Sequence, residues 1–251
     1  MLNKNIFIKF ISVLTCCLAT LLCIAQKKNK PVEKFYVFDK NWKGCAQDTA
    51  TYMLYVQQIN DTAWQYNYYN YLGPLLYIET YKSEDSEIPH GYFAYFNQKG
   101  TLDSTGIYLN GFKNGDWIFY DDSISLKKRF SYQNGKMINT WDKSKDSSQK
   151  LPADPNEREA QFKNGSSGWK KYLENNANYP PRAQNNNIHG KVLVRFIVNK
   201  EGKVELPQII KSVEFSIDKE SIRILQESPL WKPGFQFGKN VNSYHVQPIS
   251  F

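Results

Sequence analysis

The sequence predicts an α+β protein, with an N-terminal antiparallel β-meander of hairpin repeats ahead of a small β-β-α-β unit. Three observations carry that expectation. Between residues 91 and 135 a Gly-x-aromatic-x-aromatic pattern recurs, each copy closed by Asn-Gly. Residues 190–199, GKVLVRFIVN, alternate apolar and polar side chains, the two-residue period of a strand. From Phe215 to Ser228 the period lengthens to that of a helix, with Ile217, Ser221, Ile224 and Leu225 on one face.

The first element is an export signal. Lys4 and Lys9 precede an apolar run from Phe10 to Ala25, and Cys23-Ile24-Ala25 offers small residues where a signal peptidase reads, so cleavage would leave Gln26 first. An uncleaved anchor is the alternative. Phe10 to Ala25 spans about 24 Å as a helix, less than the ~30 Å of a hydrocarbon core. A start at Ile6 would reach across, with Lys9 snorkelling to the headgroups. Lipid attachment at Cys17 is a third reading, although Cys16 stands where Gly, Ala or Ser is usual. Of the four cysteines only Cys45 lies beyond this segment, so the mature chain would have no internal disulfide.

Residues 35–138 form the repeat domain. With Gly91 set on Gly115, Phe93 meets Trp117, Tyr95 meets Phe119, Phe96 meets Tyr120, Leu102 meets Leu126 and Tyr108 meets Tyr132. Asn110-Gly111 then meets Asn134-Gly135, the pair that supplies positive φ to a tight hairpin. A weaker copy is expected to precede these, with Tyr77–Tyr81 standing where Leu102–Gly106 stands. Stacked hairpins would bury an aromatic stripe that one copy could not bury alone. Residues 139–166 are rich in Asp, Lys, Ser, Pro and Asn and read as a linker, with one helical turn near Glu157–Phe162.

In residues 167–251, Pro181 opens a short helix. The strand to Val198 turns at Lys200–Lys203 and returns over Val204–Val213, where Pro207 demands a bulge or an edge. Asp218 and Glu220 occupy the first turn of the following helix, on the favourable end of its dipole. Pro229 and Pro233-Gly234 stop it. Asn242–Phe251 is a last extended segment with Tyr244, Val246 and Ile249 as the inward residues, and Pro248 suits a sheet edge.

Net charge is +8, and the loss of Lys4 and Lys9 on cleavage would leave +6. No basic run is interleaved with aromatics, and no nucleic-acid motif is present, so nucleic acid is not expected as a partner. The three histidines, His90, His189 and His245, are far apart, and HExxH, CxxC, GxSxG and glycine-rich phosphate loops are missing from the sequence. Asp121-Asp122 reads as a solvated turn rather than a metal site. The expectation is a binding protein, not an enzyme, with no cofactor and no metal.

The stretches Gly91–Phe96, Tyr108–Gly111, Gly115–Tyr120 and Tyr132–Gly135 resemble MORN-type repeats of the YwqK kind, which implies a hairpin meander and no chemistry. A second resemblance covers the end of the chain. Tyr179-Pro180, Ala183, Gly190-Lys191-Val192, Phe196-Ile197-Val198, Gly202-Lys203-Val204, Ser212-Val213, Asp218-Lys219-Glu220, Pro229–Gly234, Gly238-Lys239, Val241 and Pro248–Phe251 follow the order of a TonB C-terminal domain.

The resemblance to the TonB family implies a mode of action. Such domains capture a short transporter segment, the TonB box, as an added strand at a sheet edge. The edge maps onto Asn242–Ser250, so Asn242, Ser243, Tyr244, His245, Val246 and Gln247 are the expected binding residues, with Asn176 as the polar residue three positions before Tyr179-Pro180. The implied partner is a segment of an outer-membrane TonB-dependent transporter or another envelope protein, and the implied compartment is the periplasm. A membrane-anchored energy transducer working with ExbB–ExbD is the alternative, and it requires an uncleaved N-terminal helix. The chain departs from a transducer in its short apolar segment and in a linker with only Pro152 and Pro155. A homodimer through paired edges is also compatible with this reading.

Overall fold

The computed structural model describes residues 32–146 and 156–251, and Pro31–Phe251 cluster as one compact unit. Residues 1–25, where an export signal is expected, lie outside the described residues. Among those described, no helix is long and apolar enough to cross a membrane.

The fold is α+β. Nine strands form one antiparallel sheet in chain order: β1 (Glu33–Phe38), β2 (Tyr52–Asn60), β3 (Ala63–Asn70), β4 (Leu75–Tyr81), β5 (Gly91–Phe96), β6 (Leu102–Leu109), β7 (Phe112–Tyr120), β8 (Leu126–Gln133) and β9 (Lys136–Asp142). Two kinds of turn alternate along it. At one end Asn110-Gly111 (φ 52 and 86°) and Asn134-Gly135 (φ 48 and 80°) close two-residue hairpins of the kind whose twist matches the strands. At the other end a side chain builds the turn. The Oδ1 of Asp39, Asn97 and Asp121 each accepts the backbone N–H two and four residues on, at 2.8–3.1 Å. Asp121 is therefore a turn-former, and the hydrogen bond it accepts from the Ser123 hydroxyl, together with these backbone bonds, lowers its carboxyl pKa.

The ladder registers set the repeat. Tyr69 faces Leu75, Phe96 faces Leu102 and Tyr120 faces Leu126, each just after a register shift. The weaker copy is therefore β3–β4, with Leu75 in the place of Leu102. The expected match of Tyr77 to Leu102 is two residues out, because the loops between copies differ in length.

The C-terminal region contains α1 (Gly165–Asn176), α2 (Pro181–Asn185), β10 (Lys191–Val198), β11 (Val204–Lys211), α3 (Phe215–Gln226), a hairpin of β12 (Gly234–Gln236) and β13 (Lys239–Val241), and β14 (Ser243–Ser250). The sheet order is β11-β10-β14. Val192, Val194, Phe196 and Val198 of β10 are buried against Ile217, Ile224 and Leu225 of α3, as the alternation requires. Burial of each such side chain stabilises by about 1.5–3 kcal/mol. Two register shifts interrupt β10–β11 and Leu206 takes φ 50°, the irregularity that Pro207 imposes.

Two expectations need correction. The stretch read as linker is structured at both ends: β9 runs to Asp142, and Arg158 and Gln161 make antiparallel bridges to Phe235 and Lys232 instead of a helical turn. Phe162 is buried against Trp169 and Trp231, and a polar neighbourhood hid that one anchor. Tyr244 and Val246 face outward, at 76% and 45% exposure, while His245 and Ile249 face in, because strand parity puts 244 and 249 on opposite faces. Asp218 lies in the first turn of α3 as expected, and there it is 1% exposed.

That burial marks a junction. The Asx-turn end of the meander abuts β11 and α3. Ser212 N–H donates to the Gly100 carbonyl at 2.8 Å, and Leu75 N–H donates to Ser212 Oγ at 2.8 Å. Ile210, Leu193 and Phe215 pack into the meander core of Met53, Tyr69, Leu75, Ile78, Ala94, Leu102 and Tyr120. Arg195 of β10 reaches Tyr120 Oη at 2.7 Å. Gly100 sits here at φ 73°, and a Cβ on it would lie 2.6 Å from the Ser212 carbonyl oxygen and 2.5 Å from Pro74 Cβ. Gly100→Ala is expected to lower the unfolding free energy by at least about 2 kcal/mol, read as a shifted urea midpoint.

Candidate functional site

The candidate site is the free edge of the C-terminal sheet. Among the described residues β14 pairs with β10 on one side only. The phase of that pairing follows from its end: Gly190 and Phe251 exchange both backbone hydrogen bonds, at 3.1 and 3.0 Å. Hydrogen-bonded pairs recur every second residue in an antiparallel ladder, and β10–β14 has no register break. Ile249, Gln247, His245 and Ser243 therefore turn their N–H and C=O groups towards β10. Ser250, Pro248, Val246 and Tyr244 turn theirs to the open side. Pro248, which has no N–H, occupies an outward position, where its missing donor costs the fold nothing.

The six β14-side residues expected from the sequence lie together, in three roles. Tyr244 and Val246 offer the outward backbone groups and exposed side chains. His245 packs inward with ring centroids 5.5 Å from Phe196 and 5.2 Å from Trp231, and this burial lowers its pKa. Gln247 Oε1 lies 3.3 Å from His245 Nε2. Ser243 Oγ is buried with no hydrogen-bond partner, and Asn242 Oδ1 accepts from Lys200 N–H at 3.0 Å, which fixes the entry to the strand. Asn176 is placed elsewhere. It ends α1, its Nδ2 donates to the Tyr172 carbonyl at 2.8 Å, and its own carbonyl accepts from Arg223 of α3 at 2.8 Å.

Trp231 supports the edge from behind. It is 3% exposed, touches Phe162, Trp169, Phe196 and His245, and donates its backbone N–H to Gly202 at 2.8 Å. Gly202 has φ 87°, and a Cβ there would lie 2.1 Å from the Trp231 carbonyl oxygen. Among the described residues no group of three or more His, Cys, Asp or Glu could hold a metal ion.

Residues 175–251 match the family of the Gram-negative bacterial TonB protein C-terminal region. No curated protein and no solved structure matches the chain.

Proposed function

We propose that the TonB-like region of this chain is a periplasmic protein-binding module that captures an extended segment, such as the TonB box of an outer-membrane transporter, as a new strand beside β14. The observation that carries this reading is the set of outward backbone groups at Tyr244 and Val246, on a strand with one neighbour and an exposed aromatic. Main-chain bonds at such an edge supply affinity, and side chains on alternate positions supply selectivity. The action is binding, without catalysis. Of the residues expected at the site, Tyr244 and Val246 meet the incoming strand, His245 and Gln247 hold β14 in place, and Asn242 and Ser243 set where it begins. Asn176 serves by fastening α1 to α3.

The phase of the ladder gives a test. Val246→Pro removes one outward N–H and leaves every bond to β10 intact, so it should weaken binding of a transporter-segment peptide by about tenfold, the loss of one hydrogen bond of ~1.4 kcal/mol. Gln247→Pro removes an inward N–H and should instead lower the melting temperature. Calorimetric titration and thermal melts on both variants separate the two. Unchanged peptide affinity in both Tyr244→Pro and Val246→Pro would sink the proposal.

A further inference from the structure

The nine-stranded sheet has a second face, turned away from the C-terminal region. The registers place Trp64, Tyr66, Tyr68 and Asn70 of β3, Tyr77, Glu79 and Tyr81 of β4, Phe93 and Tyr95 of β5, and Ser104 and Tyr108 of β6 on it. Of these residues on the four central strands Glu79 is the one charged side chain; further out on the same face, Lys34 of β1 lies 5.9 Å from the Trp64 ring and Lys113 of β7 lies 4.3 Å from the Trp117 ring. It accepts a hydrogen bond from Tyr81 Oη at 3.0 Å and has no ion pair among the described residues.

The rings around it are ordered. Tyr68 and Tyr77 stack at 4.2 Å on one side. On the other, Tyr81, Phe93 and Tyr108 form an edge-to-face chain at 5.9 and 4.7 Å. Tyr77 and Tyr95 are directly opposite in the ladder, and Tyr77 stacks on its other neighbour, Tyr68. All five tyrosines nearest Glu79 in the ladder, Tyr66, Tyr68, Tyr77, Tyr81 and Tyr95, are only half-buried. A carboxylate beside aromatic rings is less fully screened than one in open water, so it attracts a cation more strongly. Ring faces favour the same charge.

We propose that this face is an interaction surface for a partner protein, which lays an arginine side chain against the rings of Tyr77 and Tyr95 and pairs it with Glu79. A guanidinium suits the site better than an ammonium, because it is planar, stacks on rings and bonds a carboxylate through two N–H groups. A protein suits it better than a small molecule, because half-exposed rings on a strand face give contact on one side, whereas small ligands are enclosed. Tyrosine, tryptophan and arginine are also the residues that dominate the binding energy of protein interfaces. This surface is separate from the β14 edge, so either proposal can fail alone.

The test uses the mature chain and three short peptides of one sequence, with Arg, Lys or neutral citrulline at the centre, plus chitotriose as a neutral, ring-stacking saccharide. Tyrosine and tryptophan fluorescence reports binding. The expected result is saturable binding of the Arg peptide, at least tenfold weaker with citrulline. Glu79→Gln should cause a similar loss while far-ultraviolet circular dichroism and melting temperature stay unchanged. Tyr95→Ala, a half-exposed position, should weaken the Arg peptide as well. Equal binding of the Arg and citrulline peptides, binding of chitotriose in place of the Arg peptide, or no saturation by about 10 mM peptide, a free energy near −3 kcal/mol, would overturn it.

Discussion

Arg182→Met will destabilise the protein by about 3–5 kcal/mol, the cost of leaving a buried carboxylate without its partner. The carboxylate is Glu214, 0% exposed, whose Oε1 accepts from Arg182 Nε at 2.6 Å. Its Oε2 caps α3 by accepting from Ser216 N–H at 2.7 Å. Arg182 also donates to the Tyr71 carbonyl and lies 4.5 Å from the centre of the Tyr71 ring. One guanidinium thus ties α2, the start of α3 and the β3–β4 turn together. The double variant Arg182→Met, Glu214→Gln keeps an oxygen for the cap and removes the stranded charge, so it should recover most of the loss. Urea unfolding of the two variants checks both values. A single-variant loss below ~1 kcal/mol, the usual worth of an exposed pair, would mean the pair is surface decoration.

The second large effect depends on pH. Asp218 accepts from Ser212 Oγ at 2.5 Å, Val213 N–H at 3.1 Å and Tyr69 Oη at 3.3 Å. Burial raises its pKa to about 7, with the neighbouring Glu214 pushing the same way and the three hydrogen bonds opposing. A carboxyl whose pKa is higher folded than unfolded favours the fold while protonated. That contribution is complete below about pH 4 and is lost as pH rises through about 7. The wild type should therefore lose about 2–3 kcal/mol from this group between about pH 5 and pH 8. Asp218→Asn cannot ionise and should lack that slope, so the difference between urea midpoints at the two pH values reads the effect directly. Parallel slopes in the two proteins would show that Asp218 is ionised throughout.

The elements that the sequence made legible are those whose signal is local. The alternation in Val192–Val198, the helical period from Ile217 to Leu225 and the Asn-Gly turns each appear where the residues imply them. The weaker repeat was found out of register because Tyr77 and Tyr81 are aromatic on the wrong face, and the buried Leu75 that defines the phase looks like any leucine. What stayed hidden depends on distant partners. Phe162 sits in a polar stretch and becomes core only through Trp169 and Trp231. Asp218 in a first turn reads as a dipole partner until Tyr69, far away in sequence, lies against it. At the candidate edge the strand itself was legible from Pro248 and the family pattern. Its inward and outward faces were not, because Tyr244 and Val246 are more apolar than the His245 and Gln247 that turn inward.

The junction between the meander and the C-terminal sheet also bears on how such a chain can be inherited. A segment recognisable by family, residues 175–251, would ordinarily be the piece that recombination moves from protein to protein. Here its Leu193, Ile210 and Phe215 are finished by side chains of the meander, and its Asp218 is satisfied in part by Tyr69. Moved alone, the segment would carry a bare apolar flank and an acid with one fewer partner. Change on one side of that seam has to be matched on the other. The chain is thus held to vary as a single heritable unit, although the family match covers just its last third.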